Sequence, residues 1–468
     1  MTRLSIGIVA SLLVAGCSLA PTYERPASAV PPSWPVGDAY LKHTEAGLPT
    51  IGYRDLFHDP TLQSLIGQAI ANNQDLRAAL ANVDAARGQL QAQRALLLPQ
   101  IAAGAGATTG KSGLAASSTG VVTTSERRTS YDANVGLSAF EIDLFGRVRS
   151  LSDAALQAYL GTEAAVRTAR LTLVAQVATT YLTIAADRSL LAIARETEVT
   201  ASRSVELTRA RLSGGVAPRS DVRQAETVLA QARSDLAAQT TLVAQDRNAL
   251  ELLVGAPVAD ADLPASIESV DGLLDALPAG LDSRVLLRRP DVLQAEYTLR
   301  AANARIGAAR AAFFPTISLT AVAGFASNAL STLVAANGFA WSIGPAISLP
   351  LFDAGLREGN LVVAEAARDA AVAAYQKAIQ SSFREVADAL ARRGTIADQF
   401  KAQADLEAAA RDSYFLADAR YREGVDTFLT SLDAQRTLYT ARRALATTRL
   451  TRAANLVQLY RVIGGTTD

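Results

Sequence analysis

Apolar side chains recur at two different periods along this chain, and the switches between them lay out its elements. From Thr61 to Leu98 the spacing is helical, through Leu62, Leu65, Ile66, Ala69 and Leu76, and Pro99 ends the run. Beyond Pro99 the period becomes two. Tyr131, Ala133, Val135, Leu137 and Ala139 alternate with Asp132, Asn134, Gly136 and Ser138, which predicts a strand with one apolar and one polar face. Ile101 to Thr108 is a second strand candidate built of small residues. A Ser/Thr/Gly loop that includes Lys111-Ser112 and Glu126-Arg127-Arg128 joins the two into a hairpin over about 100–142. At Asp143-Leu144-Phe145-Gly146 helical spacing returns and lasts to about Arg211, which at ~1.5 Å per residue predicts a helix of roughly 100 Å. Gly214-Gly215 and Pro218 break it, and a return helix runs from about Ser220 to Val254.

The same order then recurs. Arg289-Pro290-Asp291 opens a helix that Phe314-Pro315 closes. Ile317, Leu319, Ala321 and Phe325 alternate with Ser318, Thr320 and Gly324, and after a loop at about 328–338 so do Trp341, Ile343 and Ile347 with Ser342, Gly344 and Ser348. Leu351-Phe352-Asp353 opens a second long helix to about Tyr421, and the last helix returns to about Ile463. The two halves are also alike residue by residue at their glycine breaks. Adding 209 carries Gly215 onto Gly424, Val216 onto Val425, Ala225 onto Ala434 and Leu229 onto Leu438. The expected organisation is a leader at 1–16, a tether and N-terminal segment at 17–60, repeat 1 at 61–254 with its tip at 211–219, an inter-repeat segment at 255–288, and repeat 2 at 289–468 with its hairpin at about 315–350 and tip at 420–430.

Charge and composition remove several classes of function. Acidic and basic residues both number 45, so nothing marks a nucleic-acid surface. Two histidines, His43 and His58, and one cysteine leave no metal cluster and no disulfide framework. Residues 104–112 only imitate a phosphate loop, because Ala105 stands where a glycine is required and no helix follows. Paired acids such as Glu196 and Glu198 are the solvated face of a helix. No nucleophile, base and orienter stand together, and the sequence gives no reason to expect an enzyme or a cofactor.

The N-terminus has the layout of a secretory leader, with Arg3 ahead of the apolar run Ile6 to Val14, too short to span a bilayer. The run Leu13-Val14-Ala15-Gly16-Cys17 resembles a bacterial lipobox, which implies cleavage before Cys17 and a covalent lipid, diacylglyceryl and N-acyl, on that residue. Ser18 after the cysteine implies the outer membrane. Residues 20–36 are proline-rich and are expected to run extended as the tether. A secreted lipoprotein with four strands of about ten residues, apolar on one face and small or polar on the other, matches the period of an outer-membrane barrel. Four strands cannot close one, so subunits must share it.

The lipobox, the doubled layout, FEIDLFGRVRS and LPLFDAGLREGN at the strand-to-helix junctions, RRPDV, and above all YREGVDTFLTSLDAQ resemble the TolC-type outer-membrane factor family, in its lipoprotein branch of drug-efflux channels. The resemblance covers the mature chain. It implies a mainly α fold with a small transmembrane β part: a homotrimer whose four strands per subunit form one twelve-stranded barrel, with long helices forming an α-barrel across the periplasm. It also implies a periplasmic adaptor and an inner-membrane pump as partners, outer-membrane lipid around the barrel, and a passive duct for small molecules. The tips at Gly215, Val216, Gly424 and Val425 are then expected to meet the adaptor. Leu429 and Asp433, at i and i+4, share a helical face and are expected to ring the closed periplasmic end, which Arg420 and Tyr421 are expected to tie shut. Two other readings stay open: a structural coiled-coil or adhesin-like lipoprotein, and a lipid-anchored periplasmic enzyme.

Overall fold

A computed structural model describes residues 18–27, 29–37, 39–40, 52–111, 127–270, 283–334 and 338–465. Cys17, His43, Ser112, Glu126 and part of the 328–338 loop therefore lie outside the described residues. The elements in order are α1 (Tyr53–Leu56), α2 (Pro60–Asn72), α3 (Gln74–Ala95), β1 (Ile101–Lys111), β2 (Arg127–Glu141), α4 (Arg147–Ser213), α5 (Arg219–Val254), α6 (Pro290–Ala311), β3 (Thr316–Ser327), β4 (Phe339–Ser348), α7 (Leu356–Arg422) and α8 (Phe428–Val462). Both α4 and α7 are 67 residues long. No described helix is long and apolar enough to cross a membrane.

The helix expected over 61–98 is two helices. Asn73 separates them because its buried side chain has two local tasks: Oδ1 accepts from Leu76 N at 3.0 Å and caps α3, while Nδ2 donates to Leu253 O at 3.0 Å. The long helices also start later than the change of period suggests. Asp143 accepts from the backbone N–H of Val148 and Arg149 at 3.0 and 2.8 Å, and Asp353 accepts from those of Gly355 and Arg357 at 3.2 and 3.3 Å. The shared element of the two junction motifs is this carboxylate cap at the positive end of the helix.

Compactness divides the chain across the repeats. One unit comprises 1–26, 82–162 and 295–375, and the other 27–81, 163–294 and 376–468. The first contains the whole sheet, order β1-β2-β3-β4, antiparallel throughout. Register puts Ile101, Leu137, Ala321 and Ile343 on one face together with Val135, Ala323, Phe325, Phe339, Trp341 and Ile347. The other face carries Gly104, Gly106, Asp132, Asn134, Gly324, Ser342 and Gly344. One side suits lipid and the other water, as the alternation predicts.

The exception is instructive. Leu137 pairs with Ala321 and Phe140 with Leu319, so a bulge absorbs a residue, and Ala139 takes φ 49° there. Phe140, and not Ala139 as strict alternation expects, joins the apolar face. Among the described residues, strands β1 and β4 each leave an edge unpaired.

Within the first unit the N-terminal segment is pinned to α6. Glu296, 3% exposed, accepts from Arg25 Nη2 at 2.8 Å, from Arg300 Nη2 at 2.7 Å and from Tyr23 Oη at 3.1 Å. Asn303 Nδ2 donates to Pro21 O at 2.7 Å. A Cβ on Gly307 would stand 2.8 Å from Ala20, so only glycine admits the chain there. Glu296, Arg300, Asn303 and Gly307 follow at steps of four, three and four, one face of a helix. In the second unit Trp34 stacks on Phe383 at 4.6 Å. The proline-rich segment is thus held at two places, residues 20–25 on α6 and Trp34 on Phe383.

The second unit owes its deepest core to α1, α2, α4, α5 and α8, where Phe57, Ile66, Ile184, Leu250 and Tyr460 are fully buried and Phe57 meets Tyr460 edge-on at 6.1 Å. The RRPDV motif has a structural task in it. Arg289, 6% exposed, donates to Val462 O at 2.6 Å and pairs with Asp291 and Glu385 at 2.7 and 3.0 Å, which ends α8 on the start of α6.

Candidate functional site

Both helix tips lie in the second unit, and their local sequence explains their shape. Each long helix ends in the same way: Gly215 N donates to Leu212 O and Val216 N to Arg211 O, both at 3.0 Å, as Gly424 N does to Tyr421 O at 3.1 Å and Val425 N to Arg420 O at 2.9 Å. Gly215 and Gly424 have φ of 74° and 80°, the left-handed region that a residue with a Cβ enters at a cost. Beyond them Val216 and Val425 project into solvent, 77% and 64% exposed. Each tip thus presents one exposed apolar side chain just past its glycine.

The expected closing residues occupy different environments. Leu429 and Asp433 are exposed on one face of α8, with Arg436 a distant 3.9 Å from Asp433. Tyr421 is buried at 5% exposure among Val205, Ala225, Phe428 and Leu432, its ring 5.4 Å from that of Phe428. Burial pushes the Tyr421 phenol up, against the pull of Arg211. Arg420 turns back on its own loop and pairs with Asp426 at 2.7 Å.

At the tips themselves Arg211 crosses from one hairpin to the other, and it is not among the residues that the sequence pattern singles out. Arg211 Nη2 donates to Tyr421 O at 3.0 Å and Arg422 O at 2.9 Å, with its guanidinium 4.4 Å above the Tyr421 ring. It thereby caps the carbonyl end of α7 from the end of α4. The signal was available, since adding 209 carries Arg211 onto Arg420 and Ala217 onto Asp426. Equivalent arginines diverge because only the second copy has an acid within reach of its own turn.

Above the tips a cavity of about 220 Å³ opens among α4, α5 and α8, lined by Thr197, Gln231, Asp235, Gln435 and Tyr439 among others. Tyr439 Oη and Gln231 Nε2 donate to Asp235 at 2.6 and 2.8 Å; burial and that carboxylate push the phenol up to about 12. Among the described residues no cluster of three or more His, Cys, Asp or Glu side chains is placed to hold a metal. Nothing in this region is arranged to activate a nucleophile.

Comparison with known proteins agrees with this geometry. The family model for outer membrane efflux protein matches residues 65–256 and 281–465. The chain is 44% identical over 474 aligned residues to the toluene efflux pump outer membrane protein TtgC of Pseudomonas putida, covering 99% of this chain and 95% of the relative. Against the outer membrane protein OprJ of Pseudomonas aeruginosa it is 40% identical, covering 98% and 95%. The open-state structure of the Neisseria gonorrhoeae MtrE outer membrane channel superposes with a TM-score of 0.83 at 36% identity, over 96% of this chain and 99% of that one. Sequence, fold and strand pattern therefore converge, and the chain belongs to the outer membrane efflux protein family.

Proposed function

We propose that this outer-membrane efflux channel works as the exit duct of a tripartite system, joined on its periplasmic side to an adaptor and through it to an inner-membrane pump. It performs no catalysis. The observation that carries the reading is the sheet: one apolar and one small or polar face, with β1 and β4 unpaired at its edges among the described residues. Open edges are not viable in lipid, so other copies must pair them, and three copies of four strands make a closed barrel of twelve. Cys17 bears the lipid and anchors each copy in the outer membrane. Val216 and Val425, presented by Gly215 and Gly424, form the adaptor contact. Leu429 and Asp433 become rings of three, an apolar constriction followed by a cation-binding one, and Arg420 and Tyr421 tie the helices of that closed end together.

The test is a planar-bilayer recording on detergent-extracted trimers. Wild-type channels should conduct with a preference for cations, and Asp433→Ala should weaken that preference and any block by divalent ions. Absence of both conductance and trimers would overturn the duct reading. An unchanged selectivity in Asp433→Ala would move the constriction elsewhere. Radioactive fatty-acid labelling should mark the wild type and leave the Cys17→Ser protein unmarked.

A further inference from the structure

We propose that the outer rim of the barrel carries a built anion site, Lys111 facing Arg127, that binds the phosphate groups of a glycolipid in the outer leaflet. The two residues are the last cross-strand pair of β1 and β2. Counting by twos from Lys111 gives Thr109, Ala107, Ala105, Ala103 and Ile101, and from Arg127 it gives Thr129, Tyr131, Ala133, Val135 and Leu137. The cations therefore project from the apolar, lipid-facing side of the sheet. Arg128, one residue on, belongs to the other side, where its Nε donates to Asn328 Oδ1 at 3.4 Å.

Depth can be worked from the strand itself. The ten steps from Ile101 to Lys111, at about 3.3 Å each, span roughly 33 Å along the strand, and a tilt of about 40° leaves some 25 Å along the membrane normal. That is the height of the apolar band of an outer-membrane barrel. Helices α3, α4, α6 and α7 all join the sheet at the end marked by Ile101, Glu141, Thr316 and Ser348. Lys111 and Arg127 thus sit at the opposite boundary, level with headgroups and away from the periplasm.

Two like charges directly across a strand pair destabilise it. Both side chains are exposed, and among the described residues no acid pairs with either. Further along β2, Asp132 stands five positions from Arg127 and belongs to the other face. A doubly charged phosphate between the two would turn the repulsion into two charge-assisted hydrogen bonds. The Thr109 and Thr129 hydroxyls, 3.1 Å apart in the next pair on the same face, offer polar contacts to a saccharide. Lipid phosphate on a sugar, at that depth and on that face, fits all of these features.

The proposal rests on the outer-membrane duct reading for which end points outward, so the experiment tests the two separately. Purified trimers in detergent would be titrated with a diphosphorylated glucosamine glycolipid, with phosphatidylglycerol and with inorganic phosphate, counting bound lipid by native mass spectrometry. Lys111→Gln with Arg127→Gln should weaken glycolipid binding about tenfold or more, and the charge-preserving pair Lys111→Arg with Arg127→Lys should retain it. Arg128→Gln, on the lumen side, should bind as wild type does. Conductance is measured on every variant; its retention keeps the duct reading intact whatever the lipid result. Equal binding by the double glutamine variant, an equal loss in Arg128→Gln, equal affinity for phosphatidylglycerol, or displacement of the glycolipid by millimolar phosphate would each overturn the proposal.

Discussion

Removing the Arg211 side chain should loosen the second tip without unfolding the protein. Three interactions go with it: donation to Tyr421 O at 3.0 Å, donation to Arg422 O at 2.9 Å, and the guanidinium 4.4 Å over the Tyr421 ring. A hydrogen bond from a charged donor is worth about 1.5–3 kcal/mol when shielded. The Arg422 contact is exposed and counts for little, whereas the Tyr421 carbonyl is partly buried. A cation at a helix C-terminus adds about 0.3–1 kcal/mol and one over an aromatic ring about 0.5–1 kcal/mol. Allowing for overlap among these terms, Arg211→Ala should lower the local opening free energy of residues 420–427 by about 2 kcal/mol, or roughly thirtyfold in the opening constant.

Amide hydrogen exchange on detergent-solubilised protein reads this directly, as a matching rise in exchange rate confined to the end of α7 and the start of α8. Ala217→Asp provides a second route to the same state. It gives the first copy the acid that Arg420 already has in Asp426, so Arg211 should fold back and release Tyr421 while keeping its charge. Exchange within twofold of wild type in both variants would refute the idea that Arg211 holds the hairpins together. Arg420→Ala, whose pair lies within one exposed turn, should change exchange only at residues 424–427, in keeping with the ~0–1 kcal/mol of a surface ion pair.

Other measurements bear on the rest of the molecule. Glu296→Gln removes the acceptor of Arg25, Arg300 and Tyr23 and should cost about 2–3 kcal/mol, below the full value for a buried pair because Arg25 is half exposed; chymotrypsin should then cut after Tyr23 in folded trimers, and wild-type resistance would show that the strap is held elsewhere. Burial raises the Glu296 carboxyl, but Arg25 and Arg300 outweigh it and hold it below its usual value, so their contribution is present at neutral pH and is lost as pH falls through the depressed pKa. The Asp246 carboxyl is raised to about 7, by burial first and then by Asp187. The folded state therefore holds that proton more tightly than the unfolded one, and stability falls as pH rises from about 4 to 7; Asp246→Asn should gain about 1 kcal/mol of thermal stability at pH 8 and nothing at pH 4, whereas an equal gain at both would exclude titration as the cause. Gly215→Ala and Gly424→Ala meet no atom within 4 Å, so each should cost only the left-handed backbone term of about 1 kcal/mol, and a larger loss of melting temperature in either would reveal a contact across the tip.

What the sequence determined by itself was everything carried by local periodicity and local backbone preference. Spacing of three and four against spacing of two separates helices from strands because the two backbones turn their side chains at different angles. A glycine followed by a proline or a polar turn ends a helix through its own φ, and the doubled segment around Gly215 and Gly424 therefore announced two hairpins with no knowledge of the fold. The two-faced strands pointed to a membrane only together with the lipobox-like leader, since alternation by itself fits a soluble hairpin packed on helices equally well. What only the tertiary structure decided depends on side chains meeting across large separations. Arg211 and Arg420 occupy equivalent places in the repeat, yet one caps a helix 210 residues away and the other its own turn, because an acid six residues along is present in one copy and absent in the other. Asn73 caps Leu76 locally, and its amide is held in that break by Leu253 O, 180 residues away. Phe140 reaches the apolar face through a bulge that the pairing with β3 imposes and that period-two counting cannot contain. The proline-rich segment reads locally as a free extended tether; one face of α6, from Glu296 to Gly307, binds it because an arginine, a tyrosine and a close backbone approach find their partners 271 to 287 residues further along the chain.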